Sequence, residues 1–182
     1  MAELLKDDLV RELHNAAHAH AEARLAEYRQ SEAYQALVAG LVYVCAYVPV
    51  AGQSLAQMRR AGPSQPLAGA FQLDRARGVF GFDPARAADL FFHDCADANG
   101  AVARLCVQAL APMETALTST ARAETLPRAY IRCDADRAIP PGYQNDMARG
   151  IERKAALPCG HSPFLAMPER LAALIDTLVR AN

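Results

Sequence analysis

The sequence predicts an α/β fold whose parallel sheet has about three strands. Three short apolar runs, at residues 38–49, 129–133 and 154–157, are typical of buried strands. A helical pattern follows the second run and another follows the third, whereas a long irregular segment separates the first run from the second. Because strands that alternate with helices pair side by side in the same direction, this order favours a parallel sheet.

Residues 1–37 are predicted to form an N-terminal helical segment, ahead of an α/β domain at residues 38–182. They contain neither glycine nor proline, and apolar residues recur at helical spacing. His14 and His18 are four residues apart, a spacing that places two imidazoles on one helix face. No further ligand accompanies them, so the sequence predicts a polar helix face and no metal site.

The segment between the first two strands is predicted to be an insertion at about residues 50–125. The run at residues 38–49 is continuously apolar and is predicted to be a strand buried on both faces of the sheet. After it, frequent glycines and prolines leave only short regular segments. Asp83-Pro84 has the composition of a helix start, and residues 98–110 are predicted to form a second helix.

The last third of the chain places polar residues directly after two strands. Asp134 and Asp136 follow the strand at residues 129–133, and His161 follows the strand at residues 154–157. In open α/β sheets the ligand site lies at the carboxyl ends of the strands. Helices are predicted at residues 141–147 and 168–180, the second with one apolar face formed by residues 171, 174, 175 and 178.

The overall composition excludes several kinds of protein. The net charge of −1 offers no positive field for nucleic acid. No run approaches the roughly 20 apolar residues that cross a bilayer, and the acidic N-terminus is unlike a secretory signal, so a cytoplasmic location without a membrane partner is predicted. The five cysteines are scattered and form no CxxC pair, which indicates buried thiols without disulfides, and no metal or other cofactor is predicted.

Four passages resemble the C-terminal part of the α/β-hydrolase superfamily, in the branch of small-ester hydrolases, methyl esterases and hydroxynitrile lyases. They lie at residues 41–55, 91–95, 130–140 and 160–165. The resemblance implies a partial α/β-hydrolase fold in which the insertion is a cap over the sheet. It also implies a small-molecule, ester-like ligand.

The same resemblance assigns catalytic roles to His161 and Asp136, as the base and acid of a Ser-Asp-His triad. In such a triad the carboxylate orients the imidazole and stabilises its charged form while the imidazole takes a proton from the nucleophile. Asp134 is the competing acid, because it lies two residues earlier on the same side of an extended chain. The sequence around Asp136 matches the family's acid better.

The serine nucleophile of the family is not found in this sequence. The family carries it in a Gly-x-Ser-x-Gly turn ahead of the acid and the base, and the matching position here is Ala21. The sequence therefore leaves two hypotheses: a small carboxylic-ester hydrolase, and a non-catalytic, truncated or remodelled member that acts as a binding or oligomerisation module. Lyase chemistry needs the same serine. An exposed edge of the strand at residues 41–44 predicts a homo-oligomer.

Overall fold

The computed structural model describes residues 38–180, in which two sheets carry different parts of the sequence. The chain divides into the units Met1–Ala39 and Gly40–Asn182, and all helices and strands of the described residues belong to the second unit. The predicted helical segment at residues 1–37, with His14, His18 and Ala21, lies outside the described residues.

Three parallel strands form the sheet that the sequence predicts, in the order β1-β5-β6. They are β1 (Leu41–Val44), β5 (Arg128–Cys133) and β6 (Arg153–Leu157). Val44 pairs with Ile131, and Cys133 pairs with Leu157, so the carboxyl ends of all three strands lie at the same edge. The prediction of a parallel sheet with about three strands is confirmed.

The helices after β5 and β6 also form as predicted. Helix α6 (Pro141–Met147) follows β5, and the short α7 (Pro163–Ala166) and long α8 (Pro168–Arg180) follow β6. Leu171 of α8 joins the core beside Ile131 and Leu157, which are fully buried. The apolar face of α8 therefore packs on the sheet, as the sequence indicates.

Strand β1 is shorter and less buried than the sequence predicts. The apolar run at residues 38–49 is predicted to be a strand buried on both faces, but only Leu41–Val44 are extended in the sheet and all four residues are half-buried. Strand β1 is only half-buried because it lies at an edge of the described sheet. Among residues 38–180 its single neighbour is β5.

Eight elements connect β1 to β5, including a second sheet that the sequence analysis did not predict. This sheet is antiparallel, with the order β2-β3-β4. The strands are β2 (Phe71–Asp74), β3 (Val79–Phe82) and β4 (Gln108–Ala109). The helices are α1 (Leu55–Ala61), α2 (Pro84–Phe91), α3 (Ala98–Ala103), α4 (Ala111–Glu114) and α5 (Ala121–Thr125).

Two helix starts in this connection have the caps that their sequences indicate. Ser54 Oγ accepts the backbone N–H of Gln57 at 3.2 Å at the start of α1. Asp83 Oδ1 accepts the N–H of Arg86 at 3.0 Å at the start of α2. Each cap satisfies a helix N–H that has no partner within the helix.

The predicted helix at residues 98–110 is wrong in its second half. Helix α3 ends at Ala103, and residues Gln108–Ala109 instead pair with β3. Gly100 within α3 weakens helix propagation, and the ladder with β3 offers the later backbone groups another set of partners. Among the described residues, no helix is long and apolar enough to cross a membrane.

Candidate active site

Asp136 and His161 form a hydrogen-bonded pair at the carboxyl edge of the parallel sheet. Asp136 lies in the loop after β5 and His161 in the loop after β6, and these strands are neighbours. The distance from His161 Nδ1 to Asp136 Oδ2 is 2.8 Å. The side chain of Asp136 is fully buried, whereas that of His161 is 26% exposed. The pair therefore joins a buried carboxylate to an imidazole that solvent or a ligand can reach.

The buried carboxylate of Asp136 is saturated with hydrogen-bond donors. Its Oδ1 accepts the backbone N–H groups of Ala138 at 2.7 Å and Ile139 at 2.9 Å. Its Oδ2 accepts the side-chain amide of Gln144 at 2.9 Å, in addition to His161. Since a buried charge is costly without partners, these donors offset the loss of water around the carboxylate.

Gln144 is a supporting residue that the sequence analysis missed. It lies on α6 with its side chain fully buried. Its Nε2 donates to Asp136 and to the carbonyl of Ile139 at 2.7 Å, and its Oε1 accepts the N–H of Cys133 at 3.1 Å. One side chain thus fixes the end of β5 and the loop that carries Asp136. The only sequence signal is a polar residue on the buried face of a short helix.

The loop that carries His161 is held from the β1–β5 connection. Asp94 Oδ2 accepts the backbone N–H of Gly160 at 2.6 Å. A Cβ atom at Gly160 would lie 2.6 Å from His93 Cε1 and 2.7 Å from Asp94 Oδ1, so only glycine fits here without a shift. The Nδ1 atom of His93 is buried and has no hydrogen-bond partner among the described residues. Asp94 and Gly160 therefore set the position of the histidine loop.

Three buried cysteines lie where the three parallel strands end. They are Cys45, Cys133 and Cys159. A hydrogen bond with Cys45 and burial raise the pKa of the Cys133 thiol far above its usual range. Burial, together with Cys133, raises the pKa of Cys159 to about 12. Because only the thiolate is nucleophilic or binds metal, Cys133 and Cys159 are inert thiols at neutral pH. The prediction of buried thiols is wrong for Cys106, which is exposed.

Cys45 is the thiol nearest to the acid–base pair. Ligand atoms of Cys45, Asp136 and His161 lie within 4.8 Å of one another, a group that could hold a metal ion. In the described part of the chain, however, the Asp136 and His161 atoms bond to each other, and Cys45 Sγ donates to the His161 carbonyl at 3.3 Å. A metal would have to replace these bonds, so the arrangement favours an acid–base pair.

An apolar pocket of about 630 Å³ opens beside His161. The His161 ring lies 5.5 Å from the ring of Phe91, measured between centroids. Most of the remaining wall is aromatic or aliphatic, and its rings come from Tyr47, Phe71, Phe80, Phe82, Phe92 and Phe164. A cavity of this size and character is typical of a small-molecule site.

Asp134, the competing acid, is not hydrogen-bonded to His161, and neither are Ser54 and Ser162. Asp134 is exposed and pairs with Arg132, with Nε and Oδ1 2.6 Å apart. Ser54 is a helix cap, and Ser162 follows His161 at the start of α7 without a hydrogen bond to the imidazole. The structure thus brings Asp136, and not Asp134, to His161.

A family model supports the sequence resemblance. The model described as the alpha/beta hydrolase family matches residues 13–174, which is most of the chain. The match begins well before residue 38, where the resemblance drawn from the sequence began. No curated protein matches the sequence significantly.

Several solved structures with a similar fold are named as hydrolases or esterases. A pyrethroid hydrolase, PytH, is 25% identical with a TM-score of 0.67, over 79% of this chain and 61% of that protein. Polyneuridine aldehyde esterase is 20% identical with a TM-score of 0.63, over 80% of this chain and 64% of the esterase. A methylesterase from Arabidopsis is 14% identical with a TM-score of 0.65, over 80% and 60% of the two chains. The chain therefore spans less than two thirds of the length of these proteins.

Proposed function

Because the chain belongs to the alpha/beta hydrolase family, we propose that it is a small carboxylic-ester hydrolase in which Asp136 and His161 are the catalytic acid and base. The observation that carries the proposal is the 2.8 Å hydrogen bond between Asp136 Oδ2 and His161 Nδ1, at the wall of an apolar pocket. Solved structures named as a pyrethroid hydrolase and a methylesterase support the same reaction class.

The chemistry follows from which imidazole nitrogen meets the carboxylate. Asp136 is an acceptor, so Nδ1 of His161 carries the proton and Nε2 keeps its lone pair. Nε2 has no protein hydrogen-bond partner among residues 38–180. It is therefore the nitrogen that takes a proton from a nucleophile and returns it to the leaving alcohol, while Asp136 stabilises the imidazolium formed between these steps.

We propose that the ester substrate binds in the apolar pocket beside His161. Its apolar wall accommodates the hydrocarbon portion of an ester, and the Phe91 ring lies beside the imidazole. We assign the capping role to the β1–β5 connection, because it contributes most of this wall, including Phe71, Phe82 and Phe91. The connection also holds the histidine loop through Asp94.

The nucleophile is the component that residues 38–180 do not supply. No hydroxyl or thiol among them is hydrogen-bonded to His161 Nε2. Cys45 Sγ is directed to the His161 backbone carbonyl, and Ser54 Oγ caps α1. A covalent mechanism therefore requires a group from outside this range, since a triad without its nucleophile loses most of its rate.

The test is hydrolysis of short-chain p-nitrophenyl esters by the 182-residue protein, together with labelling by a serine-directed fluorophosphonate. We expect turnover that falls by about 10³-fold in His161→Ala, because the proton acceptor is removed. Leu73→Ala, a change at an exposed side chain that does not line the pocket, is the control and should keep turnover within a few-fold. Turnover that is unchanged in His161→Ala would refute the role of the pair.

A second candidate is a non-catalytic module that binds a ligand or a second copy of the chain. It is favoured by the absence, among residues 38–180, of a hydroxyl or thiol bonded to His161 Nε2, and by β1, which has one strand neighbour within the same residues. An unpaired strand edge is a surface for pairing with another chain. Ester binding without turnover or fluorophosphonate labelling would support this candidate. A monodisperse monomer in sedimentation at micromolar concentration would exclude its oligomeric form.

A further inference from the structure

Among the described residues, a single arginine side chain lines the mostly apolar pocket. Arg59 lies in the last turn of α1 and is half-buried. Its Cζ atom lies 4.8 Å from the centroid of the Phe71 ring. Contact with the face of an aromatic ring is attractive for a guanidinium, but it satisfies none of its five N–H donors.

The charge of Arg59 has no anionic partner in the described part of the chain. Few polar residues line the pocket, namely Tyr47, Arg59, Gln108, His161 and Ser162, and none of the described lining residues carries a carboxylate. Elsewhere in residues 38–180, arginines with a nearby aspartate do form ion pairs. Examples are Arg132 with Asp134 and Arg180 with Asp176.

Tyr47 adds a second donor to the same wall. Burial, with a further contribution from Tyr143, raises its pKa to about 12, so its hydroxyl stays protonated at neutral pH. The positive charge of Arg59 acts in the opposite direction on the same hydroxyl, which places the two groups within electrostatic reach. The hydroxyl has no hydrogen-bond acceptor among the described residues, so it is available to donate to a ligand.

We infer that the pocket binds an aromatic carboxylate, with the carboxylate paired to the Arg59 guanidinium and the ring packed among the phenylalanines. A guanidinium and a carboxylate match in charge and in geometry, and the pair gains strength where water is excluded. A cavity of about 630 Å³ has room for a two-ring acid. The inference deepens the proposed function, because it names the ligand class of the same pocket and rests on that pocket being the site.

The test compares 2-naphthylacetate with its neutral amide, 2-naphthylacetamide, by isothermal titration calorimetry on the 182-residue protein. The two probes share their ring system and differ in charge. We expect the wild-type protein to bind the carboxylate more tightly, and Arg59→Met to weaken carboxylate binding by about tenfold while amide binding stays within twofold.

Arg60→Met is the matched control, because Arg60 is the next residue of the same helix turn but is exposed and does not line the pocket. It should leave the affinity for both probes unchanged. Arg59→Lys keeps the charge and loses the paired donors, so we expect an intermediate loss of carboxylate affinity. This variant also guards against a folding defect that is specific to Arg59→Met.

Equal affinity of the wild-type protein for the acid and the amide would overturn the inference, as would equal losses in Arg59→Met and Arg60→Met. The failure of the proposed function is distinguishable, because it is read from ester turnover in a separate assay. Carboxylate binding that depends on Arg59 without turnover would refute hydrolysis and support the inference. Ester turnover without carboxylate binding that depends on Arg59 would support hydrolysis and overturn the inference.

Discussion

The two sides of the pocket are stabilised by different interactions. On one side, Asp136, Gln144 and His161 form a network of directional hydrogen bonds between loops that follow neighbouring strands. On the other side, the rings of Phe71, Phe80, Phe82, Phe91 and Phe92 pack against one another at centroid distances from 4.9 to 6.1 Å. We call these the polar side and the aromatic wall.

The difference separates the geometry of the chemistry from the shape of the ligand site. Hydrogen bonds weaken steeply when distance or angle changes, so the polar side fixes where His161 lies. Apolar packing tolerates exchanges that conserve volume, so the aromatic wall can vary without moving the acid–base pair. Changes on one side should therefore have distinct effects from changes on the other.

The largest expected effect is at the aromatic wall. Phe91→Ala removes a buried ring that contacts Phe82, Phe92 and His161, and should lower the free energy of unfolding by about 4 kcal/mol. Urea denaturation followed by circular dichroism measures it. Phe164→Ala removes a ring that is 60% exposed and should change the free energy by less than about 0.5 kcal/mol. Equal losses in the two variants would contradict the role of the wall in the core.

The next effect is on the polar side. Gln144→Leu leaves the N–H of Cys133 and the carbonyl of Ile139 without their side-chain partner, and should cost about 3 kcal/mol of unfolding free energy. The same denaturation experiment measures it. Asn145→Ala is the matched control, because Asn145 is the next residue and is exposed. If Gln144→Leu is as stable as Asn145→Ala, the network does not hold the Asp136 loop.

Gly160 lies next to His161 and packs against His93 and Asp94 of the β1–β5 connection. Gly160→Ala introduces a Cβ atom 2.6 Å from His93 Cε1, and should cost about 2 kcal/mol through overpacking. It should also shift the NMR signals of the His161 ring. At Gly142 a Cβ atom would meet nothing within 4 Å, so Gly142→Ala is the control and should not destabilise the protein. An unshifted His161 ring in Gly160→Ala would show that the close contact does not position the loop.

The smallest expected effect at neutral pH concerns the buried thiol of Cys159. Burial raises the pKa of Cys159 from 9.0 to about 12, so the folded state holds this proton more tightly than the unfolded chain. The protonated Cys159 thiol therefore makes its full contribution to the free energy of unfolding below about pH 9. That contribution is lost as the pH rises toward 12.

Urea midpoints measured between pH 8 and 12 test this dependence. The decline of stability with pH should be shallower in Cys159→Ala than in the wild type, because the variant has no thiol to ionise. Cys106→Ala changes an exposed thiol and should keep the wild-type slope. Identical slopes in all three proteins would exclude Cys159 as a source of the alkaline sensitivity.

The sequence predicted the parallel sheet because its strands and helices carry strong local patterns. The apolar run before Cys133 and the apolar face of α8 each identify an element without knowledge of its neighbours. The β1–β5 connection was predicted less well. The apolar–polar alternation in Phe71–Asp74, a turn with Gly78 and the aromatic-rich Val79–Phe82 together form a hairpin signal.

Two residues of the candidate site could be predicted from the sequence, and at least three others could not. Asp136 and His161 follow strands, so the fold class itself places them at one edge. Asp94 acts through a contact with Gly160, 66 residues away. Gln144 and Arg59 act through contacts between different elements that are closer in sequence, and no local pattern encodes any of these contacts. The catalytic roles of Asp136 and His161, the homo-oligomer and the cytoplasmic location stay predictions.

The central claim is that Asp136 and His161 act as one unit, and a double-mutant cycle on ester hydrolysis tests it most directly. The kcat/KM values of Asp136→Asn, His161→Ala and the double variant are compared with the wild type, and Asp134→Asn is the matched control with an exposed carboxylate. We predict losses of about 10³-fold in each single variant, no further loss in the double variant, and wild-type values in Asp134→Asn. Losses that multiply in the double variant, or equal losses in Asp136→Asn and Asp134→Asn, would contradict the claim.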